Sequence, residues 1–334
     1  MPKLINITSL LVTMGLLFGC SSTQDNSRWM SQNKSALGNK TLGQITIPGS
    51  HFANAYELNS SLPICKGETL ASSQTTNAKI IMLNGHVVES SADEFVTYLN
   101  TQDENIYQQL NSGIRYLEIQ VCLQDNVFYT SNYFIGDNLN NIITQINHFL
   151  NENPDEIVLL DLDNNVRDET GFLGNHGAKQ LNALFTQSFK DRLITKTEIN
   201  DIHKQQLKQI WQTKGRVLII SSNTALISDS IWDKNSLVGL DATPRWTTIK
   251  KLTNIQIAVD ELQESNITYM SIIPIYSRFD PERNTPQEIG NNFNNHLIVD
   301  YLYTFPESTP LNILVSEGQF NYDIVKFSLR GFNN

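Results

Sequence analysis

The sequence predicts one α/β domain, a distorted parallel (β/α)8 barrel of the TIM type over residues 40–334. Three observations carry that prediction. Eight short β-branched or apolar runs recur along the chain, and helix-length amphipathic segments separate most of them. The 334 residues suffice for one large core, since a single α/β barrel takes ~250. Composition agrees, with 40% apolar and 17% charged side chains. That excludes a disordered or coiled-coil chain.

In chain order, residues 1–19 read as a signal peptide, with Lys3 ahead of an apolar stretch from Leu4 to Phe18. The stretch is shorter than the ~20 apolar residues of a spanning helix and carries Asn6, Thr8, Ser9 and Thr13. Leu17-Phe18-Gly19-Cys20 resembles the bacterial lipobox, which implies an acylated Cys20 as the first mature residue; an ordinary cleaved signal is the alternative. Ser21 after the cysteine points by the same resemblance to the outer membrane of a bacterial cell envelope. Residues 20–39 then serve as a lipidated tether.

The strand-like runs are 44–48, 115–121, 126–131, 156–163, 216–221, 237–240, 268–276 and 312–317. Residues 139–150 form an amphipathic helix that stops before Asn153-Pro154, where the restriction before proline ends it. Too few residues separate the second and third runs for a crossover helix, so the barrel is expected to be distorted or partly open there. Residues 55–100, rich in Ser, Asn and Thr, form a loop insertion.

A net charge of −10 without a basic run excludes a nucleic-acid partner. Three cysteines are too few for a disulfide-built fold. With Cys20 acylated, Cys65 and Cys122 remain in an oxidising compartment and can pair, two buried thiols being the alternative.

In a parallel barrel, chemistry collects where strands end. That rule selects His51 after the Pro48-Gly49 turn, Glu118 and Gln120 two apart on the second run, Asp161 and Asp163 on the fourth, and Glu317 on the eighth. Each also has a structural reading: His51 as a packed turn residue, Asp163 as a turn former beside Asn164, Glu317 in a bend before Gly318. Their shared end of the barrel points to one polar pocket. A working His51 needs a carboxylate to orient its ring, and Glu317 is the candidate.

The order of motifs resembles the phosphatidylinositol-specific phospholipase C X-domain-like superfamily. ITIPGSHFANAY (45–56), IYQQLNSGIRYLEIQVC (106–122) and INHFLNENPDEIVLLDLDN (146–164) match it in order, and residues 311–334 are similar to its closing strand and helix. The resemblance implies a phosphodiesterase barrel acting on a phosphodiester-containing lipid or small molecule. In it, a first histidine, here His51, acts on the nucleophilic hydroxyl and a second protonates the leaving oxygen. This chain departs from the pattern. Tyr129, Thr130, Ser131 and Asn132 stand where the second histidine belongs, Phe52 replaces Asp or Asn, and Glu118 with Gln120 fits neither the Asp-x-Arg nor the Glu-x-Asp form. No cofactor is required. Calcium or magnesium on Glu118 and Asp163, with Gln120 and water, is the alternative. His86, between Cys65 and Cys122, is the candidate substitute acid. Two function classes follow: a lipid-anchored phosphoric diester hydrolase, or an inactive barrel serving as a surface or periplasmic binding protein.

Overall fold

The computed structural model describes residues 25–66, 79–83, 86–90, 93, 96, 99–162, 166–241, 256, 260, 270–275, 294–306, 309, 311–318 and 320–332. The segment 1–19, Cys20 and Asp163 lie outside the described residues, as does the side chain of His86. No helix among the described residues is long and apolar enough to cross a membrane.

Eight parallel strands form one curled sheet, in the order β12 (Ile231–Asp233), β11 (Val217–Ser221), β8 (Val158–Asp161), β4 (Tyr116–Glu118), β1 (Ile47–Ser50), β15 (Ile313–Ser316), β14 (Met270–Pro274) and β13 (Val238–Asp241). This is a distorted barrel, as the sequence predicts. Its edges are β12 and β13 among the described residues. After the second run the barrel is not open, since β4 pairs directly with β8, but the chain there leaves it for a second sheet.

The third run is not a barrel strand. Asp125 and Asn126 both take positive φ, 50° and 61°, the backbone of a two-residue hairpin turn. They fold β6 (Val127–Asn132) back antiparallel on β5 (Val121–Gln124). With β7 (Phe134–Asn138), β9 (Val166–Asp168) and β10 (Gly171–Phe172), these make a second, five-stranded sheet. The place in the barrel goes to β12, three residues long and unanticipated. The insertion carries a two-stranded hairpin, β2 (Lys79–Leu83) with β3 (His86–Ser90). Its Leu58, Val96 and Leu99 pack with Phe134.

Helices cover the sheet for visible reasons. The helix Leu139–Glu152 buries Leu139, Ile142, Ile143, Ile146, Phe149 and Leu150, the spacing of one helical face, and Asn138 caps it. The helix Ile106–Ser112 starts in a capping box of Asn105 with Gln108 and stops at Gly113, whose φ of 116° suits glycine. Close approach also fixes Gly49, where an added Cβ would meet the Tyr116 ring at 2.9 Å.

Part of the span 20–39 expected as a tether is packed into the domain. At its described end, Trp29, Met30 and Leu37 are buried in the main core. They cover the N-terminal end of the barrel, where Arg115 and Glu156 are both fully buried. Arg115 donates to Glu156 at 2.9 and 2.8 Å and to the carbonyls of Leu110, Ile114 and Ser27. Glu156 also accepts from the N–H groups of Met30 and Ser31. A buried ion pair is tolerable because its remaining donors and acceptors are satisfied this way.

Candidate active site

Register places the site. In the parallel ladders Ser50 pairs with Ser316 and with Leu117, and Glu118 pairs with Asp161. The residues after Ser50 and Ser316, His51 and Glu317, therefore reach the same level as Glu118 at the C-terminal mouth. The His51 N–H donates to the Ser316 carbonyl (2.8 Å), and the Ala53 N–H to the Glu118 carbonyl (2.7 Å). Phe52 makes the turn between them at φ 40°, a backbone at home for Asn or Asp and strained for a bulky side chain. Its ring lies 3.8 Å, centroid to centroid, from that of His51.

His51 is 6% exposed, and its ring is held between two carboxylates. Nδ1 lies 2.7 Å from Glu317 Oε1, and Nε2 faces Glu118 Oε2 at 3.9 Å. With Glu317 ionised, the shared proton belongs on Nδ1, which donates, and Nε2 is left as the basic nitrogen. The His51 carbonyl is fixed as well, accepting from Gln102 Nε2 (2.6 Å) and Thr101 Oγ1 (3.2 Å). Gln102 Oε1 in turn accepts from Asn321 Nδ2 (2.8 Å), and Asn321 Oδ1 from Ser316 Oγ (2.5 Å). This buried chain of amides ties the end of β1 to the end of β15.

The structure thus brings together His51, Glu118 and Glu317. Gln120 does not join them on the strand: the barrel ladder ends at Glu118, and the chain passes into the second sheet. The alternation that put Gln120 on the face of Glu118 stops with the strand. Its N–H donates to Asn54 Oδ1 (3.0 Å). Asp163 lies outside the described residues. Asp161 is fully buried beneath the mouth, accepting from the Tyr116 hydroxyl and paired with Lys234 Nζ at 2.8 Å. Lys234 is a site neighbour that no spacing in the sequence singles out.

Two of the positions that would supply a second histidine are engaged in structure. Thr130 Oγ1 donates to the Asp137 carbonyl (3.1 Å), and Asn132 Nδ2 to the Leu99 carbonyl of the insertion (2.8 Å). Among the described residues no group of three His, Cys, Asp or Glu is placed to hold a metal ion. Cys65 and Cys122 form a disulfide with Cα atoms 6.1 Å apart. It ties the insertion to β5, four residues after Glu118.

Residues 81–223 match the model of the phosphatidylinositol-specific phospholipase C X domain. Among curated relatives, a Homo sapiens PI-PLC X domain-containing protein 2 is 26% identical over 204 residues, 60% of this chain and 61% of that protein. A Mus musculus PI-PLC X domain-containing protein 1 is 26% identical over 62% of this chain and 57% of its own length. These matches span about three fifths of the relatives. Among solved structures, the phosphatidylinositol-specific phospholipase C from Listeria monocytogenes superposes with a TM-score of 0.66 at 19% identity, covering 93% of this chain and 99% of that one. A pentafluoro-Phe-substituted phosphatidylinositol-specific phospholipase C from Staphylococcus aureus gives 0.63 at 13% identity, covering 91% of this chain and 97% of that one. At such identities the likeness shows the fold.

Proposed function

We propose, from the premise that this chain belongs to the phosphatidylinositol-specific phospholipase C X-domain-like superfamily, that it is a lipid-anchored phosphoric diester hydrolase of the bacterial cell envelope. The observation that carries the reading is His51 Nδ1 at 2.7 Å from Glu317, which turns Nε2 toward Glu118. In the proposed reaction Nε2 takes the proton of the attacking hydroxyl as the new P–O bond forms. Glu317 holds the ring and balances the charge it takes up. The bond to the leaving oxygen breaks, and that oxygen draws its proton from solvent, since Thr130 and Asn132 are bonded to backbone carbonyls and no histidine stands on that strand. The substrate class is a phosphodiester headgroup of a lipid or small molecule, in keeping with the names of the Listeria and Staphylococcus enzymes.

One observation favours the second reading, a binding barrel without turnover: Asn132 and Thr130 are committed to backbone carbonyls, and neither is a proton donor of suitable acidity. A turnover panel of headgroup phosphodiesters separates the two. It is run with calcium and with a chelator, for wild type and His51→Ala. Hydrolysis lost in His51→Ala and indifferent to the chelator supports the enzyme. Loss under the chelator assigns a cation to Glu118 and Asp163. Binding without hydrolysis in every arm leaves the binding protein.

A further inference from the structure

The end of the barrel opposite His51 has a character of its own. Two segments, 25–46 and 190–216, cover the N-terminal ends of the strands. Arg115 donates to the carbonyls of Asn26 (3.3 Å) and Ser27 (2.7 Å), which fixes the first against β4. Leu193 bridges Val217, the first residue of β11, and Arg216 donates to the Pro154 carbonyl (2.7 Å) ahead of β8, which fixes the second. The segments also bond each other, Leu207 N–H to the Lys40 carbonyl (2.8 Å) and Lys208 N–H to the Gly38 carbonyl (3.0 Å).

The charge of these two segments inverts that of the chain. The whole sequence has 24 Lys and Arg against 34 Asp and Glu. The first segment has three basic residues against Asp25 alone, and the second has seven against Asp191, Glu198 and Asp201. Lys40, Lys190 and Lys208 are exposed and have no carboxylate partner among the described residues. A recess of about 340 Å³ opens at the same end, with Lys40 and Arg330 on its walls. No basic run announces this in the sequence; the fold assembles it from two segments.

The chain also enters here. Asp25 is the first described residue, and five residues from an acylated Cys20 reach at most ~18 Å when extended. Four residues of β1 alone put ~13 Å of strand between this end and the mouth.

We propose that this basic end of the barrel is the face that lies against an anionic bilayer, with the His51 mouth turned away from it. The diester then reaches the site from solution or from a facing membrane, and not from the leaflet that holds the anchor. That consequence rests on the function proposed above, whereas the orientation itself is testable without turnover.

The test uses the acylated full chain on vesicles of phosphatidylcholine with phosphatidylglycerol, with an acceptor dye on the lipid headgroups. A donor dye is placed at Gln44→Cys, exposed at the basic end, or at Glu57→Cys, exposed beyond the mouth-side turn. Strong transfer from position 44 and weak transfer from 57 is expected; equal or reversed transfer overturns the orientation. In a second arm the unacylated Cys20→Ser chain is mixed with the same vesicles. Lys40→Gln, Lys190→Gln and Lys208→Gln together should weaken its binding ~10²-fold at low salt, at roughly fivefold per charge. Unchanged binding, or equal capture of a duplex RNA probe by the wild type, also overturns it. A chain that orients as expected and hydrolyses no diester defeats the enzyme reading and leaves this one standing.

Discussion

His51 Nδ1 and Glu317 Oε1 meet at 2.7 Å although 266 residues separate them in the chain. The contact follows from β1 and β15 being neighbours in register, so that the residue after each strand arrives at the same height. Glu317 acts through His51 and is a positioning residue. Glu317→Gln should lower kcat by ~10² to 10⁴, with KM little changed and the acidic limb of the pH–rate profile, which reports the base, displaced. Glu317→Asp should restore part of the rate. Loss of rate with an unchanged pH profile would mark Glu317 as merely structural.

The lack of a histidine on the third run predicts a sensitivity to the leaving group. Without a proton donor at Ser131 or Asn132, an alkoxide must depart nearly unassisted, whereas an aryl oxide departs well by itself. An aryl phosphodiester should therefore turn over ~10² to 10⁴ times faster than an alkyl one of similar shape. Steady-state rates across a series of leaving groups check this. A flat series would reveal an acid outside the described residues, with His86 the first to substitute.

The sequence made His51, Glu118 and Glu317 legible because strand ends of a parallel barrel converge whatever lies between them. It did not show where the chain leaves the barrel. The Asp125-Asn126 turn pulls the third run into a second sheet, and with it goes the alternation that paired Gln120 with Glu118. β12 is too short, at three residues, to give a periodic signal. Gln102, Asn321 and Lys234 act through contacts between distant elements, for which no spacing rule exists.

Phe52 at φ 40° predicts a stabilising substitution. Phe52→Asn should relieve ~1 kcal/mol of backbone strain, because Asn visits the left-handed region readily. The loss of ring contact with His51 opposes this, so the net gain is smaller. Thermal unfolding of the variant measures it, and a lower Tm would show that the ring contact outweighs the strain.

The N-terminal segment should loosen in acid. The Ser27 hydroxyl, first, and then Arg28 hold the Asp25 carboxyl below its ordinary range, against the effect of partial burial. A folded-state pKa below the unfolded one gives stabilisation that is complete above ~pH 4 and is lost as pH falls through the lowered value. Protection factors of residues 26–31, taken against the intrinsic exchange rate at each pH, should fall over that window in the wild type. In Asp25→Ala they should already be low at neutral pH and show little further change.

The Cys65–Cys122 disulfide closes a sequence separation of 57, for which the chain-entropy account gives about 4 kcal/mol of stability at most. The bond does not stand alone. Ile64 bridges Phe134, the Cys65 N–H donates to the Tyr133 carbonyl at 3.0 Å, and Lys66 reaches Glu169 at 2.9 Å. These contacts hold part of the insertion in place when the bridge is cut. Denaturant unfolding of the Cys65→Ala, Cys122→Ala double variant should therefore show a loss of ~2 to 4 kcal/mol, and reductant should lower the wild type to the same level. If reductant destabilised the wild type and left the variant untouched while turnover persisted in both, the bridge would serve stability alone. A parallel fall in turnover would show that the insertion, held through Leu99 to Asn132, also shapes the mouth around His51.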